Sequence, residues 1–517
     1  MNPVDGIIED NNAPETPDRA SKRKILNFSS DKSGTEEKHD KYPMTVLSVT
    51  TVGALLASVQ GSALLIVLPD MMMAMKMPFM TTLWVLLIFL MVTTIMVPIL
   101  GRIADMFGRK RIYVLGFAVF TLGSLLCGLC GPDYLNLSFN GWGLVAFRIV
   151  QALGASMLLA NSTAMITDAF KKGRLGFAIG VNQVAASAGF VIGPVIGGLL
   201  APLGWEWIFL FNVPIGIFGT IWAAHRLREP KWEIKKQKFD WLGAVTFFIG
   251  LFGILVALTY VSFGDPDLMY IVYIMAVVGA IGLAAFLFIE LRVAEHPMMN
   301  LRLFRGRNYA IGNLTNMLNG LYIGAATFLL IFYFQGPCHM TALQAGIILI
   351  ASGLPIMIVG PLSGRLSDKI GPKLLIVGGL AMGMIALAGF SFVGANTPTW
   401  YMVIFMVCMG IGGGLFMSPN ASSVMTSVPP EHRGIASGTR IMLRNTGSMF
   451  SLAIAFPLVL TGLDFNDMVN IFLGEGAVSD AAITKLLSGL GEAFTLFAII
   501  AAVAVCIALM RGKDKTA

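Results

Sequence analysis

The chain has 517 residues, of which 56% are hydrophobic and 13% charged; average globular chains carry about 25% charged residues. That excludes an ordinary soluble protein and points to many helices that each bury ~20 apolar residues in lipid. The formal net charge of +7 argues for topology, not nucleic-acid binding, because the basic residues gather in alternate loops.

Residues 1–42 are polar and charged without apolar periodicity, which predicts a disordered cytoplasmic tail and not a signal peptide. Fourteen apolar spans follow, at 44–69, 80–101, 112–131, 141–167, 175–201, 207–225, 241–263, 268–290, 309–335, 342–364, 374–395, 399–425, 434–461 and 491–510. Loops after even-numbered spans hold clusters such as Arg109, Lys110 and Arg111, or Lys171, Lys172 and Arg174; loops after odd-numbered spans hold only Lys76 and Lys485. The positive-inside rule then places both termini in the cytoplasm, for a multi-pass protein of the cell membrane.

The chain repeats weakly. GRIADMFGRKR at 101–111 returns as GRLSDKIGPK at 364–373, and NSTAMITDAFKKGR at 161–174 as NASSVMTSVPPEHR at 420–433. Two parallel six-helix halves, with solute bound between them near the midplane, are the economical reading. Spans seven and eight have no counterpart. The expected organisation is a tail (1–42), a first six-helix bundle (43–228), two linking helices (229–300) and a second six-helix bundle with a short tail (301–517).

In span five, GVNQVAASAGFVIGPVIGG carries Gly180, Gly189, Gly193, Pro194, Gly197 and Gly198. Gly189, Gly193 and Gly197 form one smooth stripe, which lets two helix backbones approach closely. From the residues alone this is a packing seam, static or sliding. The full spacing resembles the antiporter motif of the fifth helix in Major Facilitator exporters. The six-plus-two-plus-six arrangement resembles the fourteen-helix drug:proton antiporter branch of that superfamily. The resemblance implies an all-α membrane protein with the Major Facilitator fold, exporting small amphiphilic compounds in multidrug efflux by alternating access, with protons as the expected coupling ion.

The resemblance also assigns roles. Gly101, Asp105, Gly108 and Arg109 match the cytoplasmic turn that acts as a conformational latch, with Asp368 as counterpart in the second repeat; the residues alone also allow a plain basic turn that fixes topology. Arg148 opens RIVQALGAS and, with Gln151, resembles the fourth-helix motif implicated in proton transfer. A cation inside a span is a functional candidate in its own right, the alternative being an arginine that braces helices through carbonyls. The first-helix signature departs from the family: Gln60 stands where an aspartate is usual, and Leu65 where an asparagine is. WEWIFLFNVPIG at 205–216 resembles a span-six signature, and its Trp205 and Trp207 fit an interfacial aromatic belt.

Asp and Glu are missing from the interior of the spans, whereas Arg148, Arg440 and Arg444 lie inside them. Neither glutamine nor arginine titrates in a useful range. Proton coupling therefore falls to a carboxylate nearer an edge, such as Asp70, Asp105 or Asp168, or is absent. Gln60, Asp70 and Arg148 are the coupling candidates. A chamber lined by arginine would suit anionic or lipid-like solutes in place of the lipophilic cations usual for multidrug exporters. Asn313, Asn316, Asn319 and Tyr322 form a polar stripe on span nine that lines the chamber or binds helices together; with Gln151, Arg440 and Arg444 they are the substrate-cavity candidates.

Nothing in the residues suggests an enzyme. The five cysteines are scattered, Cys127 and Cys130 forming CxxC inside an apolar run, where a packing role fits best. The histidines lie in loops or at span ends, so no metal set converges. No GxxxxGK[ST] loop is present, which argues against nucleotide as a partner. No cofactor is expected; the partners are a small-molecule solute, protons if antiport holds, and membrane lipid. A non-transporting sensor or assembly factor on the same scaffold is the alternative of another class.

Overall fold

The computed structural model describes residues 42–131, 139–170, 175–229, 240–261, 269–295, 297, 299–429, 433–460 and 480–512. The tail expected over 1–42 lies outside these residues except for Tyr42. All described helices belong to one compact unit, Pro43–Ala517.

These residues fold into long helices and no strand. The first group is α1 (Tyr42–Ala74), α2 (Phe79–Phe107), α3 (Arg109–Gly128), α4 (Trp142–Ala169) and α5 (Leu175–Leu200), followed by α6 (Trp207–Arg226). Next come α7 (Trp241–Val261) and α8 (Met269–Arg292). The last group is α9 (Arg307–Gln335), α10 (Ala342–Ile370), α11 (Pro372–Phe390), α12 (Thr399–Thr426), α13 (Arg433–Leu460) and α14 (Asp480–Leu509). Among the described residues, 12 helices are long and apolar enough to cross a membrane. The other two, α5 and α13, have 26 and 28 residues.

Packing follows a pattern that recurs eight helices later. The pairs α2·α4, α3·α4 and α3·α6 are matched by α10·α12, α11·α12 and α11·α14. The pair α1·α5, joined through glycines, is matched by α9·α13. Two further pairs cross between the groups, α2·α13 and α5·α10, and the same shift turns each into the other. The repeated GRIADMFGRKR and GRLSDKIGPK segments make matching turns. Gly108 (φ 104°) ends α2, and Gly371 (φ 83°) ends α10. Both angles lie where a Cβ would be strained, so glycine is what the turn requires.

The α7–α8 pair lies outside this pattern. Gly250 and Gly253 of α7 pack backbone to backbone on Gly279 and Gly282 of α8. Of the pair, α7 touches both α2 and α13, with the Phe252 ring 5.6 Å from the Trp84 ring. The outer side of α8 exposes Tyr270, Tyr273, Ile274, Val277, Ile281 and Phe288.

Trp205 corrects one expectation. It is buried, with Gly131 against its ring edge, while Trp207 is exposed as an interfacial residue would be. The Cys127 and Cys130 thiols are free and buried.

Candidate functional site

The most polar knot in the first group of helices forms around Arg148 of α4, which is 1% exposed. Gly123 of α3 lies directly on the Gln151 backbone of α4, so Gln151 can reach across. Arg148 Nη1 donates to Gln151 Oε1 at 2.7 Å, and Gln151 Nε2 donates to Ser124 Oγ at 2.8 Å. Ser124 Oγ in turn donates to the Phe120 carbonyl at 2.8 Å. Arg148 Nε donates to the Val85 carbonyl of α2 at 3.2 Å. The guanidinium carbon sits 4.2 Å from the Phe89 ring centroid and 5.8 Å from that of Phe209, a cation–π arrangement of about 0.5–2 kcal/mol.

Gln60 of α1 completes the knot. Its amide lies 2.6 Å from the amide nitrogen of Asn212 in α6; with the amide oxygen turned toward Arg148, it accepts from Nη1 at 3.2 Å. Arg148, Gln60 and Gln151 are thus brought together. No carboxylate pairs with Arg148 among the described residues. Its charge is held by amides, carbonyls and ring faces, which lowers the several-kcal/mol cost of burying an ion without cancelling the charge. Asp70, also expected here, is exposed near the end of α1.

Asn212 and Ser124 escaped the sequence reading. The signal for Asn212 was present, a lone asparagine within WEWIFLFNVPIG. Ser124 carried none, since a serine in an apolar helix commonly bonds its own backbone.

The second group of helices holds its polar residues between α9 and α13. Asn313, Asn316 and Asn319 are all buried. Asn313 Nδ2 donates to the Tyr309 carbonyl in its own helix at 3.0 Å, and Asn316 Nδ2 donates to the Arg440 carbonyl of α13 at 2.8 Å. Asn319 Nδ2 donates to the Tyr322 hydroxyl at 2.6 Å. Close approach makes these contacts possible, because Gly320 lies on Arg444 and Gly447 on Met317. Of the three asparagines, Asn316 joins α9 to α13, while Asn313 and Asn319 bond within α9.

At the turn between α2 and α3, Arg109 Nη1 meets Asp168 Oδ2 of α4 at 2.6 Å and donates to the Ala164 carbonyl at 3.3 Å. This pair lies inside the first repeat. A methyl at Gly108 would strike the Glu229 carboxylate, so the chain after α6 covers the turn. Gly101 is helical, with Ala160 of α4 opposite it. Asp105 and Asp368 are within α2 and α10, and their side chains lie outside the described residues.

The glycines of α5 serve two partners. Methyls at Gly189 and Gly197 would come within 2.7 Å of the Leu55 oxygen and 2.5 Å of the Ala63 oxygen, both on α1, and one at Gly193 would strike Ser62 and Val59. On the other side, a methyl at Gly198 would lie 2.6 Å from the Leu343 Cα, and one at Gly346 of α10 would lie 2.6 Å from the Pro194 oxygen. Gly180 has nothing within 4 Å. One helix is thus in backbone contact with α1 of its own repeat and with α10 of the other.

The sequence pattern of the Major Facilitator Superfamily matches residues 50–452. The chain belongs to that superfamily. It is 31% identical over 419 residues to the riboflavin transporter RibZ of Clostridioides difficile (strain 630), covering 80% of this chain and 88% of that one. It is 29% identical over 413 residues to multidrug resistance protein 3 of Bacillus subtilis (strain 168), covering 77% of this chain and 76% of that one. Among solved structures, a bacterial homologue of the human lysosomal transporter Spinster, inward-facing and unoccupied, superposes with a TM-score of 0.61 at 15% identity, covering 91% of this chain and 97% of that one. As a Major Facilitator the protein is a multi-pass membrane transporter and not an enzyme, and the matched helix pairs are the two halves' repeated packing.

Proposed function

We propose that this Major Facilitator exports small amphiphilic compounds across the cell membrane by alternating access, driven by proton antiport. The observation that carries the reading is the double engagement of α5. Its glycine faces bring α1 and α10 into backbone contact, so one half can roll on the other without side chains having to interlock or part. The crossed α2·α13 pair supplies a second such contact, and rocking about paired contacts is how repeat-built transporters alternate.

The multidrug and riboflavin transporters among its relatives favour a planar or amphiphilic solute. In this reading all fourteen helices span the bilayer, the halves run 43–228 and 301–517, and α7–α8 sits between them in contact with lipid. Both termini face the cytoplasm, as the basic loops direct. Proton coupling runs through carboxylates outside the Arg148 knot, namely Asp168 with its Arg109 partner, or Asp70.

Purified protein in liposomes, given cationic, neutral and anionic dyes with and without an imposed pH gradient, tests the proposal. Uphill dye movement that collapses with the gradient is expected. If no dye moves under any gradient, the transport reading fails; if dye moves but ignores the gradient, only the coupling does.

A further inference from the structure

Arg440 and Arg444 stand one turn apart on α13 and share a face. Both are enclosed by protein, yet both keep accessible surface. Neither makes an ion pair among the described residues, and the buried Nε of Arg440 finds no acceptor there. Across from them on α9, Asn319 gives its Nδ2 to Tyr322, and its Oδ1 has no partner among the described residues. The stem of Arg444 lies over Gly320, where a methyl would come within 3.1 Å of Cγ.

Arg148 provides the contrast. It has almost no accessible surface, and its Nε and Nη1 are given to protein acceptors. A guanidinium used that way holds helices together. Arg440 and Arg444 are used differently: two like charges one turn apart repel, and the repulsion grows as the surrounding dielectric falls. The energetic cost is offset when an anion enters, because the planar donor fork of arginine matches a carboxylate or phosphate in bidentate geometry.

We propose that Arg440 and Arg444 bind an anionic group, a carboxylate or phosphate, carried by the transported solute. The inference rests on the transport reading and sharpens it: the solute is negatively charged.

The test is binding to the purified protein in lipid nanodiscs, read by fluorescence with two matched pairs of probes. The pairs are riboflavin against flavin mononucleotide, and coumarin against its carboxylate; members of a pair differ by one anionic group. In at least one pair the anionic member is expected to bind about tenfold or more tightly, the scale of one hydrogen bond to a charged group. Arg440→Gln and Arg444→Gln should each erase that preference and leave the neutral member's affinity in place. Arg440→Lys should retain part of it, and serves also if a Gln variant does not fold. Equal affinities within both pairs, no binding of either anion, or a preference that survives both Gln substitutions overturns the assignment. Gradient-driven export of neutral or cationic dyes in liposomes would stand even then, so failure of this site and failure of the transport reading are told apart.

Discussion

Gln60 of α1 and Arg148 of α4 meet across the first half of the bundle, with the glutamine amide 3.2 Å from the guanidinium Nη1 when its oxygen faces the cation. The residue that takes the place of the family's usual acid is therefore in contact with the buried arginine. A neutral amide leaves that arginine polar-bonded and uncompensated.

Replacing Gln60 by Leu removes the one amide oxygen that can accept from Arg148 or from Asn212. The expected loss is about 1–3 kcal/mol, the cost of leaving buried polar groups unsatisfied. Gln60→Glu restores an acceptor of the same length and should be tolerated better. Thermal unfolding in detergent ranks the two; equal midpoints would show that the knot tolerates the loss of the amide.

The glycines of α5 should divide by position. Gly346→Val of α10 and Gly198→Leu push the two halves apart where even an added methyl would lie 2.6 Å from the facing backbone, and should abolish flux while the protein still folds. Gly180→Ala meets nothing within 4 Å and should be neutral, or stabilising by about 0.4–1 kcal/mol through a less flexible unfolded chain. Liposome flux with size-exclusion profiles checks both; normal transport by Gly346→Val would contradict the rolling contact.

Arg109 and Asp168 are partly exposed, with side chains 18% and 19% accessible, so their mutual contribution to stability should be modest, about 1 kcal/mol or less. If the pair serves transport, Arg109→Ala should cut flux more than it lowers the unfolding temperature, and the charge swap Arg109→Asp with Asp168→Arg should recover part of the flux. A double-mutant cycle on flux measures this; independent effects of the two single changes would refute it.

Arg511 follows α14, at a basic segment that would be expected to sit in solvent, yet it is 2% exposed. Its Nη1 donates to Asn420 Oδ1 at 3.1 Å and its Nη2 to Ser423 Oγ, both on α12, while Lys373 Nζ of α11 donates to its carbonyl at 2.9 Å. Arg511→Ala should destabilise the second half by at least roughly 1.5–3 kcal/mol, the value of a hydrogen bond to a charged group. Denaturation followed in detergent tests this, with the exposed Lys369→Ala as a comparison; equal effects would remove Arg511 from the interior framework.

Some of this was open to reading along the chain because it depends on local order. Apolar run length sets the helices, the alternation of basic loops sets the expected orientation, and Gly108 and Gly371 recur because the same turn needs a positive φ in both repeats. The glycine spacing of α5 marked a smooth stripe, since residues four apart share a face in any helix. What the stripe touches is another matter. That Gly189 and Gly193 meet α1 while Gly198 meets α10 depends on how separate helices are arranged, and no periodicity encodes it.

The same division runs through the charges. Sequence by itself determined that arginines and no carboxylates occupy the span interiors, because composition along a helix is a local property. Only the tertiary structure decided their different situations. Arg148 and Arg511 are tied into hydrogen bonds across helices, and Arg440 and Arg444 keep accessible surface without an ion pair among the described residues. The physical reason is that a buried cation's energy depends on the groups around it, and those groups come from helices tens to hundreds of residues away in the chain.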